Sequence, residues 1–174
     1  MATADWNTPL RADQNDNPVM FSAIVDLQSS IIPPPSWELE KIFKTKSYKL
    51  QTWGRAKNKD GKDIKENNPH WIALRASTPL HTDPAYPRYS HHLKIKVDDG
   101  ISVRGINKKQ LLLKRGIFYI LDTHSPHQVV NENGGWNIAV SIDCKKMLEP
   151  LDCVKRCMQY ALIYKNITVK PKKL

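Results

Sequence analysis

From Trp71 onward, short apolar runs alternate with turn signals. Trp71–Arg75, Leu93–Val97, Ile101–Arg104, Gln110–Leu113, Ile117–Asp122, Gln128–Val130 and Trp136–Ile142 read as strands. Asp99-Gly100, Lys114-Arg115-Gly116 and Asn133-Gly134-Gly135 separate several of them. Short strands this close together predict a sandwich or barrel. Upstream, Tyr48, Leu50 and Thr52 alternate with Lys49, Gln51 and Trp53 at strand period. The polar stretch Lys57 to Asn68 predicts a hairpin-like excursion turning at Asp60-Gly61.

The ends of the chain have a different pattern. The stretch to Asn17 is polar and expected to lie loosely on the surface. Val19 to Ile32 holds Met20, Phe21, Ala23, Ile24, Val25 and Leu27, a cluster that fits a strand or a short helix until Pro33-Pro34-Pro35 stops it. Ser36 is placed to cap a short helix through Trp37 to Phe43. A second helix is expected over Leu151 to Tyr164. Cys153, Cys157, Met158, Ala161 and Leu162 form its packing side, and Asp152, Lys155, Arg156 and Gln159 its polar side. A basic tail, Lys170-Pro171-Lys172-Lys173, follows.

These elements predict a single mainly β domain with flanking helices, its simplest architecture a jelly-roll, cupin-like barrel. Residues 1–47 would form an N-terminal polar arm and flanking elements, 48–143 the jelly-roll core, and 144–174 the C-terminal helix and basic tail. With 40% hydrophobic and 25% charged residues, a chain of 174 residues can bury a core. It carries 27 basic and 17 acidic side chains, a net charge of +10 that suits a polyanionic partner such as nucleic acid. No run of apolar residues approaches a membrane span, so no membrane partner is expected. The N-terminus lacks the pattern of a secretory signal, and the 3 cysteines are an odd count. Both lead us to expect a reducing, cytoplasmic setting.

The histidines carry the candidate chemistry. In His81-Thr82-Asp83 an imidazole and a carboxylate stand two residues apart, which places both on one side of an extended segment. His127, at the end of a long apolar strand and turn, is the candidate third ligand, with His124 its competitor three residues earlier. Two histidines and one carboxylate on one face of an octahedron leave three positions open, a set that favours Fe(II). His91-His92 fits either a second metal site or, the preferred reading, the polar start of the strand Leu93–Val97.

The stretch from Trp71 to Ile142 resembles the double-stranded β-helix of the Fe(II)/2-oxoglutarate-dependent dioxygenases, on the HxD of His81 and Asp83, the distal His127 and the strand Gln128-Val129-Val130 that follows it. The resemblance implies iron held by His81, Asp83 and His127, 2-oxoglutarate as co-substrate, and oxidation of a substrate C–H bond. It also implies a cation for the far carboxylate of the co-substrate, in many members an arginine on a late strand. The matching place here is Asn137-Ile138-Ala139, which is uncharged. Some relatives use a lysine about a dozen residues after the HxD carboxylate instead. Lys94 and Lys96 fall there, expected to share one strand face, with Arg104 a further candidate. Tyr86, Arg88 and Tyr89, in the loop after the ligands, would line the substrate entrance. A cupin-like metal- or ligand-binding protein without turnover, and a basic nucleic-acid-binding module, are the alternatives.

Overall fold

The computed structural model describes residues 4–6, 18–27, 51–55, 62, 66–106, 110–144, 149–162 and 168–172. The expected helix over Trp37–Phe43, the Pro33–Pro35 break and the Asp60-Gly61 turn lie outside the described residues.

The described chain is mainly β, in two antiparallel sheets with one helix. The large sheet is built from β1 (Ala4–Trp6), β2 (Val19–Val25), β3 (Gln51–Arg55), β4 (His70–Leu74), β5 (Tyr89–Val97), β8 (Ile117–Asp122), β10 (Asn137–Cys144) and β11 (Thr168–Lys172). Its order is β1-β2-β8-β5-β10-β4-β3-β11. The small sheet has the order β7-β6-β9, from β6 (Ser102–Arg104), β7 (Gln110–Leu112) and β9 (Gln128–Val130). The helix α1 spans Pro150–Leu162. No helix among the described residues is long and apolar enough to cross a membrane.

β8 shows why the large sheet is central. All six residues of Ile-Phe-Tyr-Ile-Leu-Asp are buried, because the strand is covered on both faces. Phe118 and Ile120 join Leu93, Ile95, Ile138, Val140 and Ile142 under α1, whose Cys153, Val154, Cys157 and Met158 pack onto them. Those four positions make one stripe at helical period. On the other face, Ile117, Tyr119 and Leu121 meet Val103 and Ile101 of the small-sheet side in a second core. Pro150 starts α1, where a missing N–H costs nothing, and Asp152 sits in its first turn.

Several sequence expectations are corrected. Part of the polar arm is a strand: β1 pairs antiparallel with β2. Lys170, Pro171 and Lys172 of the basic tail lie in β11, which pairs antiparallel with β3. The cluster after Pro18 resolves as strand. His91 and His92 are not a polar strand start but lie inside β5, both buried and on opposite faces. Lys94 and Lys96 do not share a face. The register of β5 against β10 slips between Ile138 and Ala139, where Ala139 pairs Lys94 and Ile138 pairs Lys96. Ile95 is therefore the extra residue of a β-bulge, and side-chain parity flips across it. Lys94 faces the small sheet, whereas Lys96 lies on the face of Ile138 and the helix.

Candidate metal centre

The segment between β4 and β5 runs beside β9 as an irregular extension of the small sheet. Thr78 N–H donates to Val129 O at 3.0 Å, and His81 and His127 exchange two backbone hydrogen bonds of 3.0 and 2.9 Å. Pro79, which has no N–H, interrupts the ladder between them. Because His81 and His127 are directly opposed, their side chains emerge on one side, with ring centroids 4.4 Å apart. Asp83 then turns back toward them: its N–H donates to Thr123 O at 2.8 Å, and its Oδ2 lies 3.6 Å from His81 Nε2 and 3.3 Å from His127 Nε2.

Both rings are oriented in the same way. His81 Nδ1–H donates to Pro79 O at 2.6 Å, and His127 Nδ1–H donates to Ser125 O at 2.8 Å. With Nδ1 bound to a backbone carbonyl, each ring turns its Nε2, the atom a metal would take, toward Asp83. One ligand atom from each of the three residues lies within 4.8 Å of the others. The His81 and Asp83 side chains are each 35% exposed and that of His127 only 7%, so the trio is backed by protein on one side and open on the other. Two imidazole nitrogens and one carboxylate oxygen, open on one side, fit a metal that needs free coordination positions for its ligands. His124 is outside the trio; its Nε2 lies 2.9 Å from Tyr86 O.

Behind the trio, the inner face of the large sheet is polar where a core would be apolar. Tyr119, His92, Ser141 and His70 are register partners across β8, β5, β10 and β4. His92 stacks on Tyr119 at 4.9 Å, and burial, reinforced by the charge of Lys94 and neighbouring histidines including His127, holds its pKa well below the usual value. Lys94, one step further along, is 5% exposed, with its ammonium 5.6 Å from the Tyr119 ring centre. Burial lowers its pKa to about 7. Asn137 is 2% exposed, and among the described residues neither its Oδ1 nor His92 Nδ1 has a hydrogen-bond partner.

The remaining candidates separate. Lys96 is half-buried on the helix side of the sheet. Arg104 alternates with the inward Val103, and its Nε donates to Gln128 Oε1 at 3.1 Å. Tyr86 is 54% exposed at the mouth, and its N–H donates to Asp83 O. Arg88 is bound to Asp122, and Tyr89 packs against the helix-side core beneath it. Sequence reasoning passed over Tyr119 and Asp122, and it took His92 for a polar strand start rather than part of this face. A signal for His92 was present, since it stands two residues before Lys94 and shares its face.

Comparison of the chain with protein-family models and with curated proteins returned no match.

Proposed function

We propose that the protein is an Fe(II)-dependent oxygenase that uses 2-oxoglutarate, built on a double-stranded β-helix. The observation that carries this reading is the convergence of His81, Asp83 and His127 with both Nε2 atoms turned to the carboxylate. The strand order supports the fold: β8-β5-β10-β4 on one sheet faces β7-β6-β9 on the other, with 77–81 alongside β9.

The chain's own residues divide the work. His81 and His127 supply neutral nitrogen ligands, and Asp83 supplies one negative charge. Lys94 takes the place of the missing late-strand arginine as the cation for the far carboxylate, with Asn137 on the neighbouring strand and His92 and Tyr119 beside it. A buried anion needs such a partner, and the Lys94 ammonium has no carboxylate paired to it among the described residues. Ile117 and Leu121 help keep water from the interior. When bound, the metal and co-substrate would supply the chemistry that oxygenates a substrate C–H bond, with carbon dioxide and succinate formed alongside. The free thiols of Cys144, Cys153 and Cys157 suit a reducing cytoplasm.

Two variants test the reading. Anaerobically purified protein should bind Fe(II) or Co(II) at one equivalent, and His81→Ala and His127→Ala should lose it while remaining folded. With Fe(II) and oxygen, the wild type should convert 2-oxoglutarate to succinate. Stoichiometric metal without succinate would instead favour a cupin-like binding protein, the reading that the uncharged Asn137 supports. The net charge of +10 supports a nucleic acid as substrate or partner, testable by salt-sensitive retention of DNA or RNA.

A further inference from the structure

The metal-ligand trio comes from two separate loops, and one buried carboxylate that touches neither histidine ties them together. We propose that Asp122 is a positioning residue that sets the geometry and the metal affinity of the centre. The inference rests on the metal reading above and goes beyond it, since nothing in the ligand motif points to Asp122.

Asp122 ends β8 and its side chain is 1% exposed. On one side it takes Arg88, whose Nε lies 3.3 Å from both carboxylate oxygens and whose Nη2 lies 3.1 Å from Oδ2. On the other it accepts His124 N–H at 3.1 Å and Ser125 Oγ–H at 3.2 Å. The turn 122–125 is thus folded around the carboxylate, with Ser125 N–H closing it onto Asp122 O at 3.1 Å.

Both arms of the metal centre hang on this turn. Ser125 O is the acceptor that fixes the His127 ring, and Thr123 O is the acceptor that anchors the Asp83 backbone. Thr123 N–H in turn donates to Arg88 O at 2.8 Å, and its hydroxyl to Pro87 O at 3.1 Å. The ion pair Arg88–Asp122 therefore links the loop that carries Asp83 to the turn that orients His127. Without the charge on Asp122, the Arg88 guanidinium loses its partner and the two carbonyls lose their common anchor. Partners that orient metal ligands from outside the coordination sphere typically govern affinity by about 10–100-fold.

The test uses Co(II) as the probe on the full chain, well below the melting temperature. Asp122→Asn keeps the side chain's shape and removes its charge. It should weaken Co(II) binding by about 10–100-fold and alter the visible d–d spectrum, a coordination signature that a loss of stability alone does not move. Asp143→Asn, which alters a carboxylate bonded to Ser90 and Asn68 instead, should leave affinity and spectrum unchanged. Should Asp122→Asn fail to fold, Arg88→Ala, at a 44% exposed side chain, removes the same link and should weaken Co(II) binding in the same direction. Wild-type affinity and spectrum in the folded variants would overturn the inference alone. Absence of Co(II) binding by the wild type would overturn the metal reading and this inference with it.

Discussion

The Lys94 ammonium lies 5.6 Å from the centre of the Tyr119 ring, buried on the face of the large sheet that looks toward His81, Asp83 and His127. Alternation with Leu93 puts it on that face, and the bulge at Ile95 turns Lys96 to the other. A buried cation with no carboxylate paired to it among the described residues costs stability.

Burial lowers the Lys94 pKa to about 7 from its ordinary value of 10.5. Below pH 7 the empty site is cationic; above it, binding a dicarboxylate must take up a proton. The apparent dissociation constant for 2-oxoglutarate should be flat below pH 7 and rise by up to about tenfold per pH unit above it. Calorimetric titrations from pH 6 to 9 check this. A constant affinity across that range would remove Lys94 from the site.

The same group makes a stability prediction of known sign. Between pH 7 and 10.5 the unfolded chain holds the lysine proton and the folded chain has released it, so this contribution to stability rises with pH through that window. Below pH 7 the cost of burying the charge is present in full. Lys94→Met should therefore raise the melting temperature at pH 6–7 and abolish 2-oxoglutarate binding, with the stability gain shrinking toward pH 10.5. A variant less stable than wild type at pH 6 would contradict it.

His91 predicts a slope of the same sign at lower pH. It is fully buried on the helix side, and burial, offset only weakly by the Ile142 backbone, lowers its pKa to about 4 from 6.5. A depressed histidine stabilises above its unfolded value, and that contribution is lost as pH falls from 6.5 through 4. At about 1.4 kcal/mol per pKa unit, the full loss is roughly 3–4 kcal/mol. Denaturant midpoints should fall over this range in the wild type and less steeply in His91→Leu. Parallel curves for the two proteins would count against it.

The sequence made the middle strands legible because their runs are apolar and their turns carry glycine. It made the candidate ligands legible because their residue types and spacing are unusual together. It hid what register decides. A bulge has no residue signature at Ile95, yet it moves Lys96 to the wrong face and leaves Lys94 inside. Ala4–Trp6 and Thr168–Lys172 are paired at sheet edges with no alternation to announce them. Asp122 looked like the polar end of an apolar strand. Its importance comes from partners such as Arg88, far along the chain, which only folding brings together.

Gly116 supplies a contrast with Gly100. Both have positive φ, 86° and 82°, which a side chain tolerates poorly. A Cβ on Gly116 would come within 2.7 Å of the Val25 carbonyl oxygen, and its N–H donates to Lys94 O at 2.8 Å; a Cβ on Gly100 meets only Asn133 Nδ2 at 3.7 Å. Gly116→Ala should cost about 2–3 kcal/mol, and Gly100→Ala about 1 kcal/mol from backbone strain alone. Equal losses in urea denaturation would show that the close approach to Val25 is relieved by movement of β2.

Metal binding should itself stabilise the fold, since the trio exists only when the two loops are folded against each other. Ligand at 100 times its dissociation constant adds about 2.7 kcal/mol, which for a chain of this length raises the melting temperature by roughly 5–10 °C. Co(II) should produce this shift in the wild type and none in Asp83→Ala. Asp83 is 35% exposed, so its removal should change the metal-free melting temperature little. The variant therefore separates metal binding from folding. An equal shift in both proteins would place the ion elsewhere on the surface, because a trio reduced to two imidazoles has lost its own negative charge, which would draw a divalent cation between them.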